Sequence, residues 1–139
     1  MSISQPPIAE SHDCRTAHFA TRWLQSDTAV IVVSGEVDAA NAQEFVDYAL
    51  RHAAQLDRLV VDLSGVDFFG TAGFSALHAL NVRAAGESIN WAMLPSTMVS
   101  RLLRICDPDA ALPVCDSVDA GLSAVAGNRA LLQLIPQPR

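Results

Sequence analysis

The chain has 139 residues, of which half are hydrophobic and 17% are charged, a composition typical of one well-packed globular domain. Its net charge of −6 and its pI near 4.9 argue against nucleic acid binding, which requires a basic surface. All nine basic residues are arginines. The absence of lysine excludes Schiff-base catalysts and P-loops.

The cysteines and the hydropathy pattern predict a cytoplasmic protein. Cys14, Cys106 and Cys115 form no CxxC pair and are odd in number, so we expect reduced thiols. No apolar run reaches the roughly 18 residues that a membrane-spanning helix needs. The segment Met1–Ala9 lacks the charged and apolar regions of a signal peptide.

The first third of the chain predicts two strands and a helix. Residues 1–14 are polar and are predicted to form a flexible tail, and Arg15–Leu24 is predicted to be an edge strand. The β-branched run Ala29–Val33 predicts a buried strand. Apolar residues then recur at helical spacing over Ala42–Ala53, with Asp38 as the predicted N-cap.

The rest of the chain alternates strands with helices. Leu59–Leu63 is a second buried run, and a helix is predicted over residues 71–85. The later elements are predicted as a strand over Ile89–Leu94, a helix capped by Ser96 and packed through Cys106, a short strand over Leu112–Cys115, a helix capped by Ser117 that ends at Gly127, and a tail over 127–139. This order predicts an α/β domain with a central mixed sheet of about five strands covered by about four helices.

Residues with catalytic or ligand-binding chemistry are few. His12, Cys14 and His18 offer metal ligands, but we interpret them as incidental residues of the tail and predict no metal site and no cofactor. Cys106 and Cys115 lie nine residues apart around a loop, so they form either a redox pair or two small buried residues. We favour the second interpretation, since free cysteine usually packs as a hydrophobe.

Three segments occur in the order and spacing of a known family. Leu59–Phe74 resembles the switch segment of the STAS family, which includes the bacterial anti-sigma factor antagonists. Ser34–Asp38 resembles the family's Gly-Glu-Leu/Val-Asp corner, and Leu112–Ala120 resembles its last strand and helix start. The resemblance covers residues 15–126, which we predict to be a single STAS-like domain between the two tails.

The resemblance implies a non-catalytic switch domain that binds another protein. In the antagonist branch, an anti-sigma factor with a kinase fold phosphorylates a serine at the start of the helix after the third strand. The added charge blocks docking, and the unphosphorylated antagonist binds the factor and frees the sigma factor. The implied partner-binding residues in this chain are the exposed face of the helix over 71–85 together with Asp38, Asp67, Phe69, Gly70, Thr71, Ala72 and Gly73.

The acceptor position departs from the family motif, Asp-Ser-Ser-Gly. Aligning the motif's glycine with Gly73 places Ala72 at the acceptor position and Gly70 at the aspartate. Only Thr71 keeps a hydroxyl, which admits three interpretations: an N-cap of the helix, a docking residue, or a displaced phosphoacceptor.

Two other functions compete with this interpretation. One is a STAS subunit of a phospholipid-transport ABC system, in which Thr71 would lie against the ATPase. The other is an enzyme or nucleotide-binding domain, because the switch point of an α/β sheet is a common ligand site.

Overall fold

The structure is a computed structural model that describes the backbone of residues 7–134 and the side chains of residues 7–126. The strands are β1 (Glu10–Cys14), β2 (Ala17–Gln25), β3 (Thr28–Val37), β4 (Arg58–Phe69) and β5 (Asn90–Pro95). The helices are α1 (Ala42–Ala49), α2 (Thr71–Gly86), α3 (Thr97–Cys106) and α4 (Val118–Leu134). Within residues 7–134, no helix combines the length and the hydropathy that a bilayer span needs.

The five strands form one mixed sheet in the order β1-β2-β3-β4-β5. Tight turns join β1 to β2 and β2 to β3, so these pairs are antiparallel. The crossovers through α1 and α2 make β3, β4 and β5 parallel. The sheet and its four helices confirm the predicted α/β architecture.

Helices cover both faces of the sheet, and the central runs Ala29–Val33 of β3 and Leu59–Leu63 of β4 are apolar at nearly every position. Val61 belongs, like alternate residues of β3 and β4, to the large core cluster that α1, α2 and α3 complete. Val60 points to the opposite face, where its side chain lies 3.3 Å from the position that a β-carbon on Gly121 of α4 would occupy. The parallel strands therefore have helices against both faces of the sheet.

The predicted N-terminal tail is wrong for residues 10–14, which form strand β1. This strand pairs with β2 in the register Glu10↔Thr21 to Cys14↔Ala17, so β1 rather than β2 is the edge of the sheet. Among the side chains of β1 only Cys14 is buried. A strand that is polar on both faces carries no hydrophobic alternation, which explains why its composition suggested a tail.

Several predicted ends also differ from the structure. β3 and β4 continue past their Ser-Gly pairs to Val37 and Phe69, through irregular register, and α1 ends at Ala49 rather than Ala53. The predicted strand over Leu112–Cys115 is reduced to one bridge between Met93 and Val114. Helix α4 continues through Gly127 to Leu134, so the predicted boundary at residue 126 is wrong, and residues 1–6 and 135–139 lie outside the described residues.

Candidate functional site

The candidate site lies at the carboxyl ends of β3 and β4. Val37 and Phe69 are partners in the parallel ladder, and the backbone N–H of Gly70 donates to the Val37 carbonyl at 3.2 Å. Asp38 and Thr71, which follow directly, therefore leave the sheet at the same end. The structure places Asp38 beside the segment 67–73, although the two are far apart in sequence.

Asp38 organises the turn between β3 and α1 but is not the N-cap of α1. The N-cap is Asn41, and the Asp38 carboxylate instead accepts the backbone N–H of Ala40 at 2.9 Å. The Asp38 carbonyl accepts the N–H of Ala42 at 2.9 Å. The carboxylate is half-buried and keeps part of its surface in solvent.

Asn41 is a buried polar residue that the sequence analysis missed. Its side chain is 1% exposed, donates to the carbonyls of Glu36 at 2.9 Å and Cys14 at 3.3 Å, and accepts the N–H of Asp38 at 3.0 Å. One amide thus joins the ends of β1 and β3 to the start of α1. Asn41 occupies the N-cap position of α1, but its side chain makes no capping hydrogen bond to the first turn, and its Oδ1 accepts from the N–H of Asp38 instead.

Thr71 is the first residue of α2, and its interpretation as the N-cap is wrong. The N-cap is Gly70, whose backbone is extended and whose carbonyl accepts the N–H of Gly73 at 2.9 Å. Thr71 is exposed, and its hydroxyl forms no hydrogen bond to any residue that the structure describes. The docking and phosphoacceptor interpretations remain.

Phe69 and Gly73 were predicted to face a partner, but both are buried. Phe69 is 4% exposed, and its ring packs under the first turn of α2. A β-carbon on Gly73 would lie 2.7 Å from the Cε1 and Cζ atoms of that ring. These two residues support the position of the helix start and do not contact solvent.

Replacing Gly73 with alanine is expected to lower the free energy of unfolding by about 1–3 kcal/mol, because the buried Phe69 ring must shift. Gly86→Ala at the other end of α2 is the matched control, since its β-carbon would meet nothing within 4 Å. The control should leave stability unchanged or raise it by up to about 1 kcal/mol. Urea unfolding of both variants measures the difference, and equal effects would show that the ring does not constrain this turn.

Phe68 lies within the predicted segment 67–73 but was not singled out in it, and it is 45% exposed. Adjacent residues of a strand point to opposite faces, so only one residue of the Phe68-Phe69 pair was able to enter the core. A β-carbon on Gly70 would lie 3.5 Å from Cε2 of Phe68, which places the ring beside the start of α2.

An exposed stripe runs along α2 from this ring. Its members follow helical spacing, and His78 is stacked on Phe74 with the ring centroids 6.4 Å apart. We call this stripe the α2 surface, and it consists of Phe68, Thr71, Ser75, His78 and Val82. Asp67 is exposed beside it, and Ala72 is half-buried.

A family model described as "Mlab, STAS domain" matches residues 21–113, which is more than half of the chain. The chain belongs to the STAS family. This family membership confirms the resemblance in the β3–α1 corner and the switch segment, both of which lie inside the matched range.

Two characterised relatives support this assignment at the level of sequence. The STAS domain is 31% identical over 103 residues to "Anti-sigma-F factor antagonist RsfA" of Mycobacterium tuberculosis, covering 70% of this chain and 80% of the relative. It is 29% identical over 108 residues to "Osmosensory protein A" of the same species, an alignment that covers 75% of this chain and 68% of that relative.

A solved structure supports the fold. The crystal structure of an anti-sigma factor antagonist from Mycobacterium paratuberculosis superposes with a TM-score of 0.70 at 24% identity, covering 79% of this chain and 94% of that one. At this identity the likeness shows a shared fold and no more.

The cysteines of the STAS domain are all free thiols. Cys115 is half-buried, its thiol donates to the Met93 carbonyl at 3.3 Å, and burial raises the pKa of the thiol. Cys106 is half-buried at the end of α3. A redox reaction between Cys106 and Cys115 stays an untested alternative.

His12 and Cys14 lie on β1, so the prediction that they belong to a tail is wrong. His18 points away from them and bonds to Asp13. Glu44, in the first turn of α1, comes close to both instead. Burial and a hydrogen bond to Glu44 raise the pKa of the Cys14 thiol to about 11.

Proposed function

We propose that this STAS domain is a non-catalytic, anti-sigma factor antagonist-like regulator of transcription. It docks on an anti-sigma factor with a kinase fold through the α2 surface and the adjoining Asp38 and Asp67. The observation that carries the proposal is the exposed Thr71 at the start of α2, whose hydroxyl makes no capping bond, together with the exposed Phe68 ring next to Gly70. The relative named an anti-sigma-F factor antagonist supports the class of partner.

The composition of this surface suits a protein partner. Interfaces concentrate their binding energy in a few aromatic anchors surrounded by a polar rim. Phe68 supplies the anchor, and Asp38, Asp67 and Thr71 supply polar groups at the same end of the sheet. Phe69 and Gly73, being buried, act from below by holding the first turn of α2 in position.

The missing serine determines how docking is controlled. Ala72 has no hydroxyl, so docking is either constitutive or controlled at Thr71. A phosphate on Thr71 would lie at a helix N-terminus, where the helix dipole favours an anion, and would leave the fold intact. Of these two functions of Thr71, we favour docking over phosphorylation.

The transporter alternative has less support. Neither characterised relative carries a transporter name, since one is named an anti-sigma-F factor antagonist and the other an osmosensory protein. The Thr71 variants described below also test the transporter alternative, with the transporter ATPase as the binding partner in place of the anti-sigma factor.

Replacing Thr71 with glutamate is expected to weaken binding to an anti-sigma factor at least tenfold, or about 1.4 kcal/mol. A carboxylate at a docking surface loses its hydration without gaining a partner charge. The melting temperature should stay nearly unchanged, because the charge is exposed and favourable at the first turn of α2. Titration calorimetry against each purified anti-sigma factor of the source organism measures the affinity.

Two variants act as controls for this experiment. Thr97→Glu places the same charge at the exposed first residue of α3, and it should weaken binding less than Thr71→Glu does. Thr71→Val should change stability by less than about 0.5 kcal/mol, because the hydroxyl caps nothing. If Thr71→Glu binds as tightly as the unmodified chain, the α2 surface is not the docking site.

A further inference from the structure

A second cluster of reactive side chains lies away from the α2 surface, between β1 and α1. His12 and Cys14 are two residues apart on β1 and therefore share a face of the strand, which is turned toward Glu44 of α1. The imidazole, thiol and carboxylate ligand atoms lie within 4.8 Å of one another. Nε2 of His12 lies 3.7 Å from Oε2 of Glu44.

We propose that His12, Cys14 and Glu44 form a binding site for one zinc ion. Thiolate, imidazole and carboxylate are the three side-chain ligands that Zn²⁺ uses in proteins, and a site with three protein ligands leaves the fourth position to water. A thiolate and an imidazole disfavour Mg²⁺ and Ca²⁺, which select oxygen.

The spacing of the ligand atoms suits this ion. Tetrahedral zinc with bonds of about 2.0–2.3 Å holds its ligand atoms about 3.3–3.6 Å apart. The ligand atoms therefore need to approach one another by at most about 1.5 Å, from the upper limit of 4.8 Å. The side chains of His12 and Glu44 are 48% and 53% exposed, so both can rotate toward the ion and water can reach it.

The surrounding structure fixes the backbone of the two elements that carry the three ligands. The carbonyl of Cys14 accepts a hydrogen bond from the buried Asn41 amide, which also fixes the start of α1. The ring of His12 stacks on Phe19 and Tyr48, with centroid distances of 6.2 and 6.3 Å. Because the ligands come from two anchored elements, the ion has to order side chains and not the backbone.

Zinc binding would tie the edge strand β1 to α1. The Cys14 sulfur forms a bond to zinc, its S–H bond breaks, and the proton passes to solvent. The tie adds to the polar link that Asn41 already makes between the same two elements. The native state binds the ion at a site that the unfolded chain lacks, so zinc should raise the melting temperature.

The test uses the full chain with Cys106→Ser and Cys115→Ser, which leaves Cys14 as its one thiol. After removal of metal with a chelator, Zn²⁺ is titrated by calorimetry and Co²⁺ by absorption spectroscopy. We expect one equivalent of metal bound with micromolar or tighter affinity, a thiolate-to-cobalt charge-transfer band, and a melting temperature about 5 °C higher at saturating zinc.

Variants of the ligands locate the site. Cys14→Ser should abolish the charge-transfer band, and His12→Gln and Glu44→Gln, both at exposed positions, should each weaken zinc binding at least tenfold. His18→Gln is the matched control, because it makes the same change on the neighbouring strand at a histidine that pairs with Asp13 instead. Absence of the charge-transfer band in the parent chain, or equal weakening by His18→Gln and His12→Gln, would overturn the proposal.

Discussion

Replacing Gly35 with alanine is expected to destabilise the domain by about 4 kcal/mol or more, the largest effect of any single substitution considered. Gly35 has φ +91°, a left-handed conformation that costs other residues about 1–2 kcal/mol. A β-carbon there would also lie 2.2 Å from the carbonyl oxygen of Thr16. Relief of that overlap requires β2 and β3 to separate.

The backbone around Gly35 has little freedom to move. Ala17 is the partner of Gly35 in the β2–β3 ladder, and the Thr16 carbonyl accepts the N–H of Glu36 at 3.1 Å. The Glu36 carbonyl in turn accepts from the buried Asn41 amide at 2.9 Å. A shift of Thr16 would therefore break bonds that hold the turn before α1, next to the candidate site.

Urea unfolding of Gly35→Ala measures this loss, and Gly65→Ala is the matched control. Gly65 lies on β4 beside β3, its β-carbon would stand 3.1 Å from the Ser34 β-carbon, and its φ is not left-handed. We expect the control to lose about 1 kcal/mol. Equal losses in the two variants would contradict the explanation from the left-handed conformation and the Thr16 contact.

Replacing Phe68 with alanine is expected to weaken binding to an anti-sigma factor about thirtyfold or more, equivalent to about 2 kcal/mol. The ring is 45% exposed in the free domain and lies beside the start of α2, where it is able to fill a pocket of the partner. Its removal should cost the isolated domain less than about 1 kcal/mol, since about half of the ring is already in solvent. Calorimetric titration and thermal unfolding of the same preparation separate the two effects.

Ile105→Ala is the matched control for an exposed apolar side chain. Ile105 is 75% exposed in the last turn of α3, about 12 Å along the helix axis from its first residue. Binding should be unchanged in this variant. If Ile105→Ala weakens binding as much as Phe68→Ala does, the partner covers a surface other than the one proposed.

The sequence was sufficient to predict the α/β class and the parallel centre of the sheet. The runs Ala29–Val33 and Leu59–Leu63 are apolar at nearly every position, and such runs form buried strands wherever helices cover both faces. The start of α2 was also predictable, because Gly70 follows a strand and Gly73 begins a helical repeat of small and apolar residues. These features could be predicted because they follow from the types of neighbouring residues and not from contacts between distant parts of the chain.

The identity of the exposed residues at the site required the tertiary structure. Phe68 and Phe69 are equivalent by composition, and only the orientation of β4 decides which ring enters the core. Thr71 has a side chain that is common at N-caps. A cap at Thr71 would make Ala72 the first helical residue, but α2 begins at Thr71 itself and its N-cap is Gly70. A shift of one residue in strand or helix changes the direction of every side chain while leaving the sequence pattern intact.

The sequence by itself determined the family, the sheet centre and the absence of a hydroxyl at Ala72, because these follow from residue types in local order. Only the tertiary structure decided that β1 joins the sheet, since a polar edge strand is stabilised by hydrogen bonds to β2 and not by a hydrophobic pattern. The same pairing brings His12 and Cys14 to Glu44. Contacts between residues so distant along the chain depend on strand register and helix position, which no local pattern encodes.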